Sequence, residues 1–163
     1  MTSMATRNSA VVTLPSDTEI LITRDFDAPR HLVYRAYTTP ELIRQWWAGD
    51  RGTVTSIEVD LRPGGQWRYV MIANGGFEVA FHGEYTEIVT NERIRSTEVF
   101  EAFPDKAASD TVTFTEHDGR TRLEVLIRHQ STEDRDMHIN SGMEGGMQEA
   151  MNYLEDTAAA LAG

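Results

Sequence analysis

Cysteine is absent from the 163 residues, which removes disulfides, thiolate metal sites and cysteine nucleophiles together. Long apolar runs are missing as well; none approaches the ~20 residues a membrane-spanning helix needs. Positive charge is scarce. Fifteen Lys and Arg stand against 26 Asp and Glu, for a formal charge of −11. A field of that sign repels phosphate backbones and anionic lipid, so neither nucleic acid nor membrane insertion is expected. Catalytic signatures are lacking too. There is no G-x-S-x-G elbow and no H-E-x-x-H spacing, and Gly64-Gly65 is not followed by the Lys-Ser/Thr of a phosphate cradle. The run Glu133, Asp134, Arg135, Asp136, His138 fits neither a calcium loop nor a zinc motif; it reads as acidic charge favouring the N-terminal end of a helix. No metal and no cofactor are expected. The opening stretch MTSMATRNSAVVTLPSD lacks the sustained apolar core of a signal peptide. It reads as a partly disordered lead-in over 1–17, ahead of a single domain over 18–163 in a cytoplasmic protein.

What is present is an ordinary globular balance, 40% hydrophobic and 25% charged, in a chain long enough for one domain with a real core. Ile20 to Phe26 alternates in part and reads as a strand. Asp27 then suits a cap, Pro29 a first helical position, and Thr39-Pro40 the restart of a second short helix ending at Trp46, Trp47 and Gly49. From there the period becomes two. Strands are predicted over Val54–Asp60, Gln66–Ile72, Phe77–Ile88, Arg93–Phe100, Ser109–Glu116 and Thr121–Gln130. His117-Asp118-Gly119-Arg120 between the last two is a strong hairpin signal. Short turns between successive strands imply an antiparallel sheet. The chain closes on a helix over Ser141–Gly163, with Met143, Met147, Met151, Leu154, Ala158 and Leu161 along one side. Gly142, Gly145 and Gly146 crowd its first turns, although each interior glycine costs a helix roughly 1 kcal/mol. They suggest room left for an internal cavity; close helix packing or a kink is the alternative.

The segments DAPRHLVYRAYTTPELIRQWW, DLRPGGQWRYVM, FHGEYTEIVTNERI, DGRTRLEVLIRHQSTEDRDMH and SGMEGGMQEAMNYLEDTAA occur in that order. Together they resemble the single-domain bacterial relatives of the Hsp90 ATPase activator's C-terminal domain, within the START/Bet v 1/polyketide-cyclase-like superfamily, over nearly all of 18–161. The resemblance implies an α+β helix-grip fold: a curved antiparallel sheet of about six to seven strands wrapped around the long C-terminal helix, two short helices after the first strand, and a cavity between sheet and helix.

Trp47, Trp67, Tyr69, Met71 and Phe81 are candidates to line such a cavity, closed by Met143, Met147 and Met151. Ligand pockets are mostly apolar with a few placed polar groups. Each of these side chains taken singly also serves as plain core, and methionine suits either role. His129 follows Leu123, Val125 and Ile127 on the inward face and is a candidate polar group or general base, or else a strand-end histidine bonded to backbone. Tyr69 offers a hydroxyl donor. Ser141, before Gly142, reads as a helix cap.

Three functions follow. The first is a binding protein for an apolar or aromatic small molecule. The second is a cyclase or aromatase-like enzyme using the same cavity, with His129 and Tyr69 as its nameable acid–base groups. The third, carried by the resemblance, is a chaperone-partner module, which an exposed aromatic patch at Trp46 and Trp47 would favour.

Overall fold

A computed structural model describes residues 8–162; the first seven residues of the expected lead-in lie outside them. In chain order the elements are β1 (Val11–Thr13), β2 (Glu19–Phe26), α1 (Arg30–Thr38), α2 (Pro40–Ile43), β3 (Gly52–Val59), β4 (Gln66–Ala73), β5 (Glu78–Val89), β6 (Arg93–Phe100), β7 (Ala108–His117), β8 (Arg120–Arg128), α3 (Thr132–Asn140) and α4 (Met143–Ala162). The strands form one antiparallel sheet in the order β1-β2-β8-β7-β6-β5-β4-β3. This is the helix-grip arrangement, with eight strands where six to seven were expected. The addition is β1, which lies in the stretch read as lead-in and pairs Val11–Thr13 with Leu21–Thr23. Three residues without strict alternation give too short a pattern to read from sequence.

Register shifts between Val54 and Ser56 on β3 and between Tyr85 and Glu87 on β5 bend the sheet, as an unpaired extra residue does. Its concave face holds Ile20, Ile22 and Phe26 of β2, Ile94 of β6, Val112 and Phe114 of β7, and Leu123, Val125 and Ile127 of β8, all buried. The β7–β8 hairpin turns through Asp118 and Gly119, both at positive φ (53° and 76°), as an Asp-Gly type I′ turn requires.

The helices differ from expectation in three details. Pro29 is the residue before α1, not inside it, and Asp27 does not cap; its Oδ1 accepts from Arg120 Nε at 2.7 Å. The second helix ends at Ile43 and continues as turns through Trp47 to Gly49. The acidic run is itself a helix, α3. Ser131 Oγ caps it by accepting from Asp134 N at 3.1 Å, and Ser141 Oγ closes it by donating to His138 O at 2.6 Å. Gly142 at φ 85° then breaks the chain into α4. The apolar stripe that marks most helices is missing from α3, where the single buried residue is Asp134, paired with Lys106 Nζ at 2.7 Å.

Met151, Leu154, Thr157 and Ala158 turn the buried side of α4 inward, while Met143, Met147 and Leu161 pack half-buried against the same core. Polar ties fix its position. On β2, Arg24 occupies an inward position among Ile20, Ile22 and Phe26 and is fully buried. Its Nη2 donates to Glu155 Oε1 at 3.1 Å, Asn152 Oδ1 at 2.9 Å and Asn8 O at 3.0 Å. Gln148 exchanges two bonds with the Ala10 backbone, and Tyr153 Oη donates to Asp50 Oδ1 at 2.7 Å. Among the described residues no helix is long and apolar enough to cross a membrane.

Candidate functional site

The concave face is not filled everywhere. Between β4–β7 and the α1–α2 segment lies a partly open recess of about 190 Å³. Strand parity builds its floor. On β4 the alternation presents Trp67 and Tyr69; on β5, Phe81 and Tyr85; on β6, Ile94, Ser96 and Glu98; on β7, Asp110 and Val112. Tyr37 and Thr38 from the end of α1, with Trp46 and Trp47 from the turns after α2, form the opposite wall.

Aromatic contacts hold these walls in place. Trp47 stands edge-on to Tyr69 and Phe81, with centroids 5.4 Å and 5.9 Å away. Trp67 tilts against Tyr69 at 4.9 Å. Tyr37 stacks on Trp46 at 5.2 Å, whose indole Nε1 is anchored to Ala36 O at 2.9 Å. Such pairs fix ring orientation beyond what burial alone achieves. Gly83 lies opposite Trp67 in the register. A Cβ there would stand 2.6 Å from Trp67 Nε1 and would collide with the Thr97 carbonyl oxygen. The glycine of the HGEY segment is thus required first by the Thr97 backbone carbonyl and then by the close passage of the indole.

The polar end of the recess was not foreseen from sequence. Ser96 pairs with Asp110 across β6 and β7, and Glu98 lies on the same face two residues on. Burial, then the charge of Glu98 and a hydrogen bond with it, push the Asp110 carboxyl well above the ordinary carboxylate range. Burial beside Glu98 thus favours the protonated form of Asp110. Its Oδ1 has no hydrogen-bond partner, and neither has Trp67 Nε1. Two unpaired buried polar atoms at one recess are costly in a dry interior. Tyr37, Tyr69 and Tyr85 keep their phenols protonated, each raised first by burial; the nearby acids Asp110 and Glu98 add to this at Tyr37, and the neighbouring phenols of Tyr85 and Tyr37 at Tyr69. No lysine, arginine or histidine is among the described lining residues. The signal for Asp110 was its parity with Val112 and Phe114; an acid on an apolar face breaks the binary pattern.

Of the sequence-derived candidates, the recess brings together Trp47, Trp67, Tyr69 and Phe81. The others lie elsewhere. Met71 shares the Tyr69 face but sits further along β4, between Val54 and Val79. His129 lies just beyond β8, its backbone N–H donating to Thr18 O at 2.9 Å. Its Nε2 meets His138 Nδ1 of α3 at 2.9 Å. Burial lowers both imidazole pKa values, and the neighbouring His138 adds to the effect on His129; the pair is a neutral donor–acceptor contact near neutral pH. His129 and Tyr69 thus do not converge. Met151 packs in the core and Met143 and Met147 against it, and none of the three is among the described lining of the recess. No residue of α4 is among the described lining of the recess, which lies on the α1–α2 side. The room left by Gly146 is taken by Arg51, whose Cζ would be 2.8 Å from an added Cβ. Gly145 faces open space. Gly146 thus marks close packing of a loop side chain on the helix, and Gly145 does not.

Trp46 is buried and Trp47 half-buried, so the tryptophan pair forms no exposed patch. Among the described residues no group of three or more His, Asp or Glu side chains is placed to hold a metal ion.

The family described as Activator of Hsp90 ATPase homolog 1-like protein matches over residues 27–159. Among curated proteins no sequence match is found. Solved structures are similar across most of the chain. A protein from Rhodobacter sphaeroides shares 22% identity at a TM-score of 0.86, covering 93% of this chain and 99% of that one. Protein Ms6760 from Mycobacterium smegmatis shares 28% identity at 0.80, covering 90% and 95%. An AHSA1-like protein from Aeromonas hydrophila shares 20% identity at 0.66, covering 87% and 94%.

Proposed function

The chain belongs to the activator of Hsp90 ATPase homolog 1-like family, and on that premise we propose that it binds a small aromatic molecule in the recess between the sheet and the α1–α2 segment. The observation that carries this reading is a cavity of about 190 Å³ walled by Trp47, Trp67, Tyr69 and Phe81 and left with unpaired buried polar atoms. Walls of this kind are those of a ligand site, apolar with a few convergent polar groups. Size narrows the class. An apolar cavity of about 150 Å³ takes benzene, so this one suits a single ring with a short arm and is too small for a long-chain lipid. Protein-detected NMR titration with a library of single-ring compounds tests the reading. Shifts at the indole signals of Trp47 and Trp67 are the expected result; a library that moves neither refutes it.

A proton-transfer enzyme of the cyclase type is a second reading. It is favoured by Asp110, a buried carboxyl of the recess whose pKa is raised above the ordinary carboxylate range; such a group suits a general acid. Its acid–base pair is then Asp110 and Glu98, in place of His129 and Tyr69. Loss of turnover in Asp110→Asn with ligand binding retained would separate catalysis from carriage. The chaperone-partner reading rests on family membership alone.

A further inference from the structure

We propose that the occupant of the recess is a small organic cation: an aromatic ring bearing an ammonium group, the ring held by Trp47, Trp67, Tyr69 and Phe81 and the ammonium by Asp110 and Glu98. The proposal rests on the ligand-binding reading above and adds the charge of the ligand.

Three observations support it. The polar end of the recess is acidic: Glu98 and Asp110 line it, and among the described lining residues there is no lysine, arginine or histidine to compensate them. Carboxylates taken out of water without a counter-charge are costly, and an ammonium supplies that charge. Asp110 Oδ1 is an acceptor enclosed by protein without a donor, whereas an ammonium brings three donors. The walls are aromatic on both sides, and ring faces attract a desolvated cation. The groups that face the acidic pair are the phenols of Tyr37 from α1, Tyr69 from β4 and Tyr85 from β5, all protonated. Beyond the lining stand His129 and His138, which feel the charge of Glu98 while burial keeps them neutral. None of these supplies a permanent positive charge.

The experiment compares three probes of one shape by calorimetry at pH 7: 2-phenylethylammonium, neutral 2-phenylethanol and anionic 3-phenylpropanoate. The ammonium is expected to bind about tenfold or more tighter than the alcohol, and the anion weakest. Repeating the ammonium titration in buffers of different ionisation enthalpy should reveal proton release, because the bound cation favours ionised Asp110; the alcohol should release none. In Asp110→Asn, and in Glu98→Gln as a second variant, the ratio of ammonium to alcohol affinity should fall towards one. Equal affinities for the three probes, or preference for the anion, would overturn the cation assignment while leaving the ligand site standing. No binding of any probe, with no shift at Trp47 or Trp67, would remove the ligand site and the cation assignment together.

Discussion

Replacing Glu155 by alanine strips the carboxylate from a guanidinium that has no access to water. The Arg24 side chain is 0% exposed and that of Glu155 12%. Breaking such a pair from one side leaves an uncompensated buried charge and costs roughly 3–5 kcal/mol. Asn152 Oδ1 and the Asn8 carbonyl continue to accept from Nη2, which places the expected loss near the lower end, about 3 kcal/mol. The backbone N–H of Asp27, which donates to Glu155 Oε2 at 2.8 Å, is exposed and recovers a water. For a chain of this size, 1 kcal/mol shifts Tm by about 2–4 °C, so Glu155→Ala should melt about 6–12 °C lower by calorimetry. Arg24→Met in the Glu155→Ala background should then regain most of the loss, because it removes the orphaned charge and leaves an apolar side chain among Ile20, Ile22 and Phe26. Urea unfolding of the four proteins in this cycle gives the coupling energy directly. A Tm drop under about 2 °C for the single variant would refute the reasoning. A double variant no more stable than Glu155→Ala would refute it equally, since the damage would then not lie in the uncompensated charge.

Two further predictions concern the recess and the glycines. Gly83→Ala should cost more than about 2 kcal/mol in urea unfolding, since the added methyl meets the Thr97 backbone and Trp67 Nε1, whereas Gly145→Ala, with nothing near its Cβ, should gain roughly 0.5–1 kcal/mol of helix stability. Asp110→Asn should bind ligand less well and yet fold more stably at neutral pH. The folded Asp110 pKa is raised, so between the unfolded aspartate value, about 4, and that higher folded value the native state holds an extra proton, and wild-type stability falls as pH rises. The slope approaches about 1.4 kcal/mol per pH unit for one proton. The advantage of Asp110→Asn should therefore be absent below about pH 4 and grow above it in Tm measured across pH; a gain independent of pH would show that titration is not its source.

The fold was legible because its signals are local. Period-two alternation placed β2 to β8, and Asp118-Gly119 placed the β7–β8 turn, since backbone sterics and side-chain parity act over a few residues. Where the local signal is weak, reading failed: β1 is three residues long, and α3 is capped at Ser131 but has no apolar stripe to announce it. The candidate site was half legible. Trp67, Tyr69 and Phe81 stand out as aromatics on inward strand parity and Trp47 as half of a tryptophan pair, but the methionines of α4 look equally suited and turn out to pack in or against the core.

The sequence by itself thus determined which residues alternate, which turns close hairpins and which side chains point inward, because each depends on neighbours along the chain. Only the tertiary structure decided that Ser96 lies opposite Asp110, bringing that acid and Glu98 to one recess. It alone brought Arg51 onto Gly146 and set Glu155 against Arg24. These pairings join residues from 14 to 131 positions apart, and their geometry follows from sheet register and helix placement, to which no single stretch of sequence has access.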